Sequence, residues 1–587
     1  MINPWTTLIV ALGYVLLLFA IASYGDRTIR PGWRRQAKPN TYAFSLAIYC
    51  TTWTFFGSVG LAATSGLSFL AIYVGPVIAI TLGFPLMRRI IRLAKEERIT
   101  SVADFLGSRY GKNIKVAAVA AIIAVIGTIP YIALQLKAIS SSVDTLLVRI
   151  ENGFPSATTP FGDISLVVAL TLVVFTILFG TRHADATENQ HGLMLAIASE
   201  SVVKLITFLM VGVFVTWFMF DGVQDLFGKA AENENVQKIV DRGFDAGNFF
   251  ILTLLSLTVF LLLPRQFHVA VVENNADSEL KRARWLFPLY LILINVFVLP
   301  IAVGGLLQFP DRNVDADTFV LTVAMANANE GLALFAYIGG LSAATGMLIV
   351  ATIALSTMFC NDLVVPVLLR LKWFQARFTG DLTAFLLFVR RSAILLVLIL
   401  AYTYMRLIGE SYALVTIGLV SFAAAAQFAP ALLGGIFWKG GTKAGAMTGL
   451  ILGTLVWLYT LVLPSFARSG WLPIEFIDQG PFAIEFLKPY ALFGMDGVDH
   501  LSHSLFWSML VNIGGFIWGS LLSRPSELEQ LQAGEFVRKL DTPGAEPVTT
   551  WRGSASVGEL REVLARFLGD GRADAALVDF ARRNPVD

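Results

Sequence analysis

Residues 339–366 read GGLSAATGMLIVATIALSTMFCNDLVVP, an apolar stretch that is long enough to cross a lipid bilayer. Hydroxyl side chains recur along it, at Ser342, Thr345, Thr352, Ser356 and Thr357. A helix that faces only lipid has no use for them, whereas a helix that packs closely on others or lines a hydrated site does. The pattern predicts a transmembrane helix inside a helical bundle.

The whole chain has the composition of a polytopic membrane protein. Of its 587 residues, 56% are hydrophobic and only 15% are charged. Its mean hydropathy of +0.69 is far above that of a soluble enzyme. The net charge of +2 gives no reason to expect a nucleic-acid partner. Both cysteines, Cys50 and Cys360, lie in apolar segments, which argues against a disulfide framework or a zinc site.

Apolar windows predict an all-α protein with about thirteen membrane-spanning helices. Their centres lie near residues 15, 51, 80, 128, 172, 206, 260, 296, 350, 395, 424, 452 and 513. Lysine and arginine cluster in the loops after the odd-numbered spans, as in 27–38, 88–98, 281–284 and 370–377. By the positive-inside rule, the N-terminus lies outside the cell and the C-terminus in the cytoplasm.

Two spans carry signals of an interrupted helix. Residues 50–58 read CTTWTFFGS, a β-branched and aromatic run that ends in glycine and makes a poor continuous helix. Residues 264–268 read PRQFH, which puts a proline, a charge and an imidazole at membrane depth. The two lie five spans apart, as in paired five-helix repeats, and broken helices expose backbone groups that bind a solute or an ion. A simple packing kink at Pro264 is the alternative.

Polar and aromatic side chains at membrane depth, both in these interruptions and on other spans, are candidate solute ligands. They are Cys50, Thr51, Trp53, Tyr131, Gln135, Gln266, His268 and Gln427. Ordinary hydrogen bonding between helices, or packing in the case of the tryptophan, explains several of them about equally well.

Three further segments resemble the sodium/solute symporter family, which has the LeuT-like fold of two inverted five-helix repeats. Residues 100–111, TSVADFLGSRYG, are similar to the amphipathic segment after its second core helix. Residues 180–192, GTRHADATENQHG, resemble its loop before the fifth core helix, with Glu188 where an aspartate is usual, and residues 421–449 resemble its tenth core helix. The resemblance implies a membrane domain over residues 1–523 with its core at about 41–438.

The same resemblance bears on the coupling ion. In sodium-coupled members, two adjacent hydroxyls on the eighth core helix face backbone carbonyls of the first, and Gly346 and Met347 stand at those positions here. Neither offers sodium an oxygen. The carbonyls of Ala47 and Cys50 remain, and Thr345 adds a hydroxyl if the register shifts by one residue. Sodium is therefore the less favoured coupling ion, a proton or no coupling at all is the alternative, and no other cofactor or metal is expected.

Two ionisable residues, Glu200 and Lys204, lie one helical turn apart on the sixth predicted span. In some proton-coupled relatives of the wider fold, a lysine on this helix takes the place of sodium, and the resemblance implies that role for Lys204. A Glu–Lys pair that neutralises itself is the alternative. The candidates for cation coupling are thus Ala47, Cys50, Glu188, Lys204, Thr345, Gly346 and Met347.

Residues 524–587 have a soluble composition and predict a small cytoplasmic helical domain. Ser556 and Glu559 form a capping box before an amphipathic helix, and Gly569-Asp570-Gly571 turns the chain into a second helix. This segment resembles the STAC domain, and the whole chain resembles the membrane and STAC portions of CbrA-type sensor histidine kinases. That resemblance implies a bacterial inner membrane, a small amino acid such as L-histidine as solute, and downstream kinase domains or a response regulator as partners. It leaves homodimerisation open.

The chain contains neither a phosphoacceptor helix with its histidine nor a glycine-rich nucleotide-binding block, so no enzymatic activity is expected. One hypothesis is a secondary transporter that imports an amino acid by alternating access and signals through the STAC-like domain. The second is a nutrient receptor that binds its solute without transport. A stand-alone sodium/solute symporter is a further alternative.

Overall fold

The computed structural model describes residues 4–27, 37–147, 164–180, 190–241, 244–311, 314–371, 382–407, 414–537 and 556–583. Every regular element in these ranges is helical. The helices of the first part are α1 Pro4–Arg27, α2 Pro39–Ser45, α3 Ser58–Ser65, α4 Ala71–Thr81, α5 Phe84–Glu96, α6 Val102–Arg109, α7 Ile114–Leu147, α8 Ile164–Gly180 and α9 His191–Val213.

The described middle part of the chain contains nine α-helices, among them the central helix of the bundle, α17 (Glu330–Met358). Its helices are α10 Val223–Glu232, α11 Glu234–Asp241, α12 Ala246–Leu262, α13 Pro264–Phe267, α14 Asp277–Asn295, α15 Val298–Gln308, α16 Phe319–Ala326, α17 Glu330–Met358 and α18 Val365–Leu368. The last part consists of α19 Thr383–Leu407, α20 Leu414–Ala426, α21 Ala429–Phe437, α22 Lys443–Trp457, α23 Leu463–Arg468, α24 Glu475–Asp478, α25 His500–Leu522, α26 Glu527–Val537, α27 Val557–Leu568 and α28 Asp570–Arg583.

Within the described residues, ten helical stretches are long and apolar enough to cross a membrane, and the bent pair α12–α13 makes an eleventh. The apolar helix α8, at the fifth predicted span, has 17 residues. The stretch Trp53–Thr81 contains the predicted centre near residue 80 and begins two residues after the predicted centre near residue 51. All thirteen predicted centres therefore lie on or beside helices. The prediction of an all-α polytopic membrane protein is confirmed.

The first predicted interruption lies between α2 and α3. A 3₁₀ turn, Leu46–Tyr49, continues α2, and the chain then leaves the helix at Cys50, whose ψ is 95°. Helical structure resumes in a wide π turn at Trp53–Gly57 that leads into α3. The β-branched and aromatic residues of this run favour extended over helical backbone, so the sequence itself explains the break.

The second interruption separates α12 from α13. Leu263 is extended, with φ −62° and ψ 128°, and Pro264 follows as the first residue of the new helix. Proline disfavours helical geometry in the residue before it and is well tolerated at a helix start. The two helical segments meet at 54°, which is a broken helix and more than a packing kink.

Residues 339–366 belong to the span Glu330–Leu368, which consists of α17, a π turn at Phe359–Val364 and α18 and lies at the centre of the bundle. Its apolar window is 94% buried, compared with 22% for the N-terminal α1. Its neighbours include α7, α9 and α19. Thr352 and Ser356 donate to carbonyls of their own helix, whereas Ser342 and Thr345 reach α9. The predicted position inside a bundle is confirmed.

The three described helices after the last span, α26 to α28, pack on different partners. Helix α26 packs on α6 and α21, and its Phe536 ring lies 5.3 Å from Phe105. Helix α27 starts with the predicted capping box of Ser556 and Glu559 and packs against α28. The carbonyl of Arg566 in α27 accepts a hydrogen bond of 2.8 Å from the Leu382 N–H. The predicted helices are confirmed, and the division into domains at residues 523 and 524 stays a prediction.

Candidate functional site

A buried lysine donates hydrogen bonds to backbone carbonyls at the first helix break. The Nζ atom of Lys204, on α9, donates to the carbonyl oxygens of Ala47 and Cys50 at 2.8 and 2.7 Å. Because the chain leaves the helix at Cys50, the last carbonyls of this segment have lone pairs to spare for a cation. The Lys204 side chain is 3% exposed, so its positive charge depends on these oxygens for solvation.

The carboxylate of Glu200, one helical turn before Lys204, has a different partner. The hydroxyl of Thr345 on α17 donates to its Oε1 at 2.6 Å, and the Ser342 hydroxyl donates to its backbone oxygen at 2.8 Å. A Cβ atom at Gly346 would lie 2.1 Å from Oε2 of Glu200. The described contacts therefore distribute Glu200 and Lys204 to separate partners and do not join them in a self-neutralising pair.

Most of the predicted cation-coupling residues are thus neighbours. Ala47, Cys50, Thr345 and Gly346 surround the Glu200–Lys204 turn of α9. Met347, the residue after Gly346, is also buried. Glu188 lies outside the described residues. The oxygens present would suit a small cation, and the described lysine ammonium already stands against two of them.

Several predicted solute ligands hydrogen-bond to one another between the first break and α7. The hydroxyls of Thr51 and Tyr131 are 2.9 Å apart. The Oε1 atom of Gln135 accepts from the hydroxyl and the N–H of Thr52 at 2.8 and 3.2 Å. The Trp53 indole donates to the carbonyl of Val415 on α20 at 3.4 Å. These bonds hold the broken helix between α7 and α20.

The sequence analysis did not select Arg265, the first residue after the proline of the second break. Its side chain is 1% exposed, and its guanidinium carbon lies 4.2 Å from the centroid of the Tyr131 ring. That ring stacks in turn on Phe422 of α20, with centroids 5.7 Å apart and planes 8° apart. The signal was available in the PRQFH motif, because an arginine at membrane depth is costly and hence a functional candidate.

The remaining predicted ligands have other contacts. Gln266 donates to the carbonyl of Leu46 at 3.2 Å, which joins the two breaks directly. His268 lies 3.4 Å from the carboxylate of Glu273. Gln427 forms hydrogen bonds with Ser508 and Asn512 of α25. Whether His268 and Gln427 bind solute stays a prediction.

One further buried carboxylate lies at the end of the bundle predicted to face outside. Asp317 precedes α16, and its Oδ1 atom would lie 1.9 Å from a Cβ at Gly60 of α3. The N–H of Leu414, at the start of α20, donates to Oδ2 at 3.4 Å. Burial, reinforced by the charge of Asp315, raises the pKa of Asp317 to about 7. Asp317 thus connects the outer ends of two core helices.

No protein-family model matches the chain. It is 25% identical over 415 residues to the uncharacterized symporter YodF of Bacillus subtilis, which covers 69% of this chain and 76% of YodF. Its structure matches that of a Na⁺-coupled sialic acid symporter, solved in a substrate-bound outward-open state, with a TM-score of 0.59. That match covers 89% of this chain and 99% of the symporter, at 13% sequence identity.

The chain is a membrane protein with the symporter fold. The LeuT-like arrangement predicted from the sequence is thereby confirmed, and the resemblance to symporters is confirmed in this general form. Both proteins compared are symporters by name, in agreement with the expectation of a protein that is not an enzyme. The STAC and kinase resemblances remain predictions.

Proposed function

We propose that this protein is a secondary transporter of a small solute that works without sodium because Lys204 takes the place of the coupling cation. The observation that supports this is the pair of hydrogen bonds from Lys204 to the carbonyls of Ala47 and Cys50. A sodium ion at these oxygens would have to displace the ammonium group, and like charges repel strongly in a buried site. Gly346 and Met347 offer no oxygen to offset that cost.

A proton is the coupling ion that we propose. A protonated lysine holds carbonyl oxygens through charge-assisted hydrogen bonds, which are about twice as strong as neutral ones. Loss of the proton would weaken the link between α9 and the first break, and would thereby favour movement of one repeat against the other. Glu200, one turn away and bonded to Thr345, is the nearest described acid on the same helix and the proposed proton relay.

The proposed solute is a small amino acid, with L-histidine as the first compound to test. The proposal draws on the resemblance to CbrA-type proteins and on the similarity to symporters. The interrupted helices meet where Gln266 donates to the carbonyl of Leu46, and in transporters of this architecture such meeting points bind the solute.

Uptake into proteoliposomes tests the proposal. Labelled L-histidine, with the other amino acids as competitors, is supplied in sodium-free buffer with or without an inward proton gradient. We expect gradient-stimulated uptake that sodium does not increase, and loss of the stimulation in Lys204→Ala. Lys229→Ala, which changes a half-exposed lysine of α10, is the control and should transport normally. Uptake that strictly requires sodium would overturn the proposal.

A second candidate function is a nutrient receptor that signals through its C-terminal helices. It is favoured by the backbone hydrogen bond between Leu382, just before α19, and Arg566 of α27, because α19 packs directly on α7 and α17. Solute binding that shifts these helices would reach α27 and α28 through that bond. Hydrogen exchange in residues 557–583, measured with and without L-histidine, tests this function. Binding without any uptake, together with altered exchange, would favour the receptor over the transporter.

A further inference from the structure

We propose that Arg265 binds a carboxylate group of the solute, so that the ligand is a small organic acid or amino acid and not a sugar or an amine. The inference rests on the proposed function, in that it assumes a solute site between the two helix breaks. It concerns a residue at the start of α13 whose guanidinium lies against Tyr131.

The first observation is an unsatisfied charge. Arg265 is 1% exposed, and none of its three guanidinium nitrogens donates to a carbonyl or carboxylate oxygen of the described residues. Nor does any described acidic side chain form an ion pair with it. A buried cation without a carboxylate or carbonyl partner is strongly disfavoured, and an anion bound beside it would remove this cost.

The second observation is the position of the group. The guanidinium carbon lies 4.2 Å from the centroid of the Tyr131 ring in a cation–π contact, and the Tyr131 ring in turn stacks on Phe422. A guanidinium that rests on an aromatic face keeps its N–H edges free. Those edges match a carboxylate, which they bind through two parallel hydrogen bonds.

The surroundings include further unused polar atoms. The Oε1 atom of the adjacent Gln266 is buried without a hydrogen-bond partner among the described residues, as is the Nδ1 atom of His268, whose Nε2 atom lies 3.4 Å from the Glu273 carboxylate. Gln266 and His268 follow Arg265 directly on the same broken helix. An α-amino or imidazole group of a bound amino acid would find an acceptor in Gln266, while the carboxylate is held by Arg265.

A second buried arginine shows the difference between a structural and a ligand-binding role. Arg109 of α6 is also 1% exposed and also lies over a tyrosine, Tyr110, at 5.0 Å. Two of its three guanidinium nitrogens, Nε and Nη2, however, donate to the backbone carbonyls of Gly435 and Trp438, and only Nη1 has no partner among the described residues. Where this bundle uses a buried arginine to join helices, it supplies backbone oxygens as acceptors; at Arg265 it does not.

The test uses the full chain, purified in detergent in sodium-free buffer. Melting temperatures are measured with the proteinogenic amino acids, acetate, L-lactate and pyruvate as probes, and with the amides of those that bind. We expect at least one carboxylate to raise the melting temperature and its amide to fail. In Arg265→Gln, calorimetric affinity for that carboxylate should fall at least about 100-fold. Arg109→Lys is the matched control and should keep its affinity.

The melting temperature without ligand provides an independent readout. Arg265→Gln should melt at the same temperature as the wild type or higher, because it removes an unpaired buried charge, whereas Arg109→Gln should melt lower, because two carbonyls lose their donor. Equal affinity for a carboxylate and its amide, unchanged affinity in Arg265→Gln, or a loss of ligand-free stability equal to that of Arg109→Gln would overturn the inference. None of these results depends on sodium or on transport. A failure of this inference can therefore be distinguished from a failure of the proposed transport function, which the uptake measurements test.

Discussion

A Cβ atom at position 346 would lie 2.1 Å from Oε2 of Glu200, so the buried carboxylate of α9 occupies the space that a side chain on α17 would need. Gly346 lacks the hydroxyl expected of a sodium ligand, and because it has no side chain it also leaves room for the Glu200 carboxylate. Gly346 and Glu200 form one packing unit with Thr345, whose hydroxyl holds the same carboxylate.

We expect Gly346→Ala to displace the Glu200 carboxylate and to lengthen or break its bond with Thr345. Overpacking of this kind costs roughly 1–3 kcal/mol of the free energy of unfolding, which a lower melting temperature would show. Gly514→Ala is the control, since Gly514 lies within α25 and a Cβ there would meet no atom within 4 Å. Equal melting temperatures for the two variants would contradict the described packing.

Tyr131 should have two separable roles. Tyr131→Phe removes the hydroxyl that contacts Thr51 at 2.9 Å but keeps the ring between Arg265 and Phe422. We expect a stability loss of only about 0.5–1.5 kcal/mol and retained carboxylate binding. Tyr131→Leu removes the aromatic face as well and should lower carboxylate affinity, as measured by calorimetry. Equal binding by the two variants would show that the ring does not position Arg265.

The pKa of Asp317, raised by burial to about 7, predicts a pH dependence of stability. From about pH 4 to about pH 7 the folded chain keeps a proton here that the unfolded chain has lost, so the free energy of unfolding falls as pH rises and levels off above pH 7. Asp317→Asn should remove a cost of up to about 4 kcal/mol. Its gain in melting temperature over the wild type should therefore be larger at pH 8 than at pH 5.

The groups around Asp317 that affect this titration are Asp315, Lys137 and the N–H of Leu414. Asp225→Asn is a suitable control, because its pKa is lowered by the hydrogen bond from Lys229 and it titrates below this range. A gain that is the same at both pH values would mean that Asp317 stays ionised in the folded protein.

Glu529 should anchor α26 to the membrane domain. It is 2% exposed and accepts hydrogen bonds from the backbone N–H groups of Lys443 and Ser526, each at 2.8 Å. Burial alone would raise the pKa of Glu529, but these donors, aided by the Ser526 and Lys443 side chains, outweigh it and hold the pKa below its ordinary value. The ionised form thus stabilises the contact above the ordinary glutamate pKa, and this contribution is lost as pH falls through the lowered value.

Glu529→Gln should therefore release α26 at neutral pH. Hydrogen exchange of the amides in Glu527–Val537 should become at least about tenfold faster, as expected for the loss of about 1.5–3 kcal/mol of charge-assisted bonding. Glu527→Gln changes an exposed residue of the same helix and should leave the exchange rates unchanged. No difference between the two variants would show that other contacts, such as that of Phe536 with Phe105, hold α26 by themselves.

Local chemistry was enough to predict the two helix breaks and the cap of α27, although not the helices α10, α11 and α16 between the apolar spans. The proline of PRQFH and the β-branched run after Cys50 disfavour helix wherever they stand in a chain, and both breaks lie where those residues predict them. The capping box of Ser556 and Glu559 likewise involves residues three apart, so its partners are present in the sequence itself.

The sequence by itself determined the apolar helices, the breaks and the presence of Lys204 and Glu200 on one helix, because hydropathy, backbone preference and helical spacing are local properties. Only the tertiary structure decided what these groups contact. It placed Lys204 against the carbonyls of Ala47 and Cys50, Glu200 against Gly346, and Arg265 where no described acceptor meets it. Such pairings depend on how helices that are distant in sequence pack together. The role of a charged residue in a membrane bundle therefore depends on whether the packing places a partner beside it.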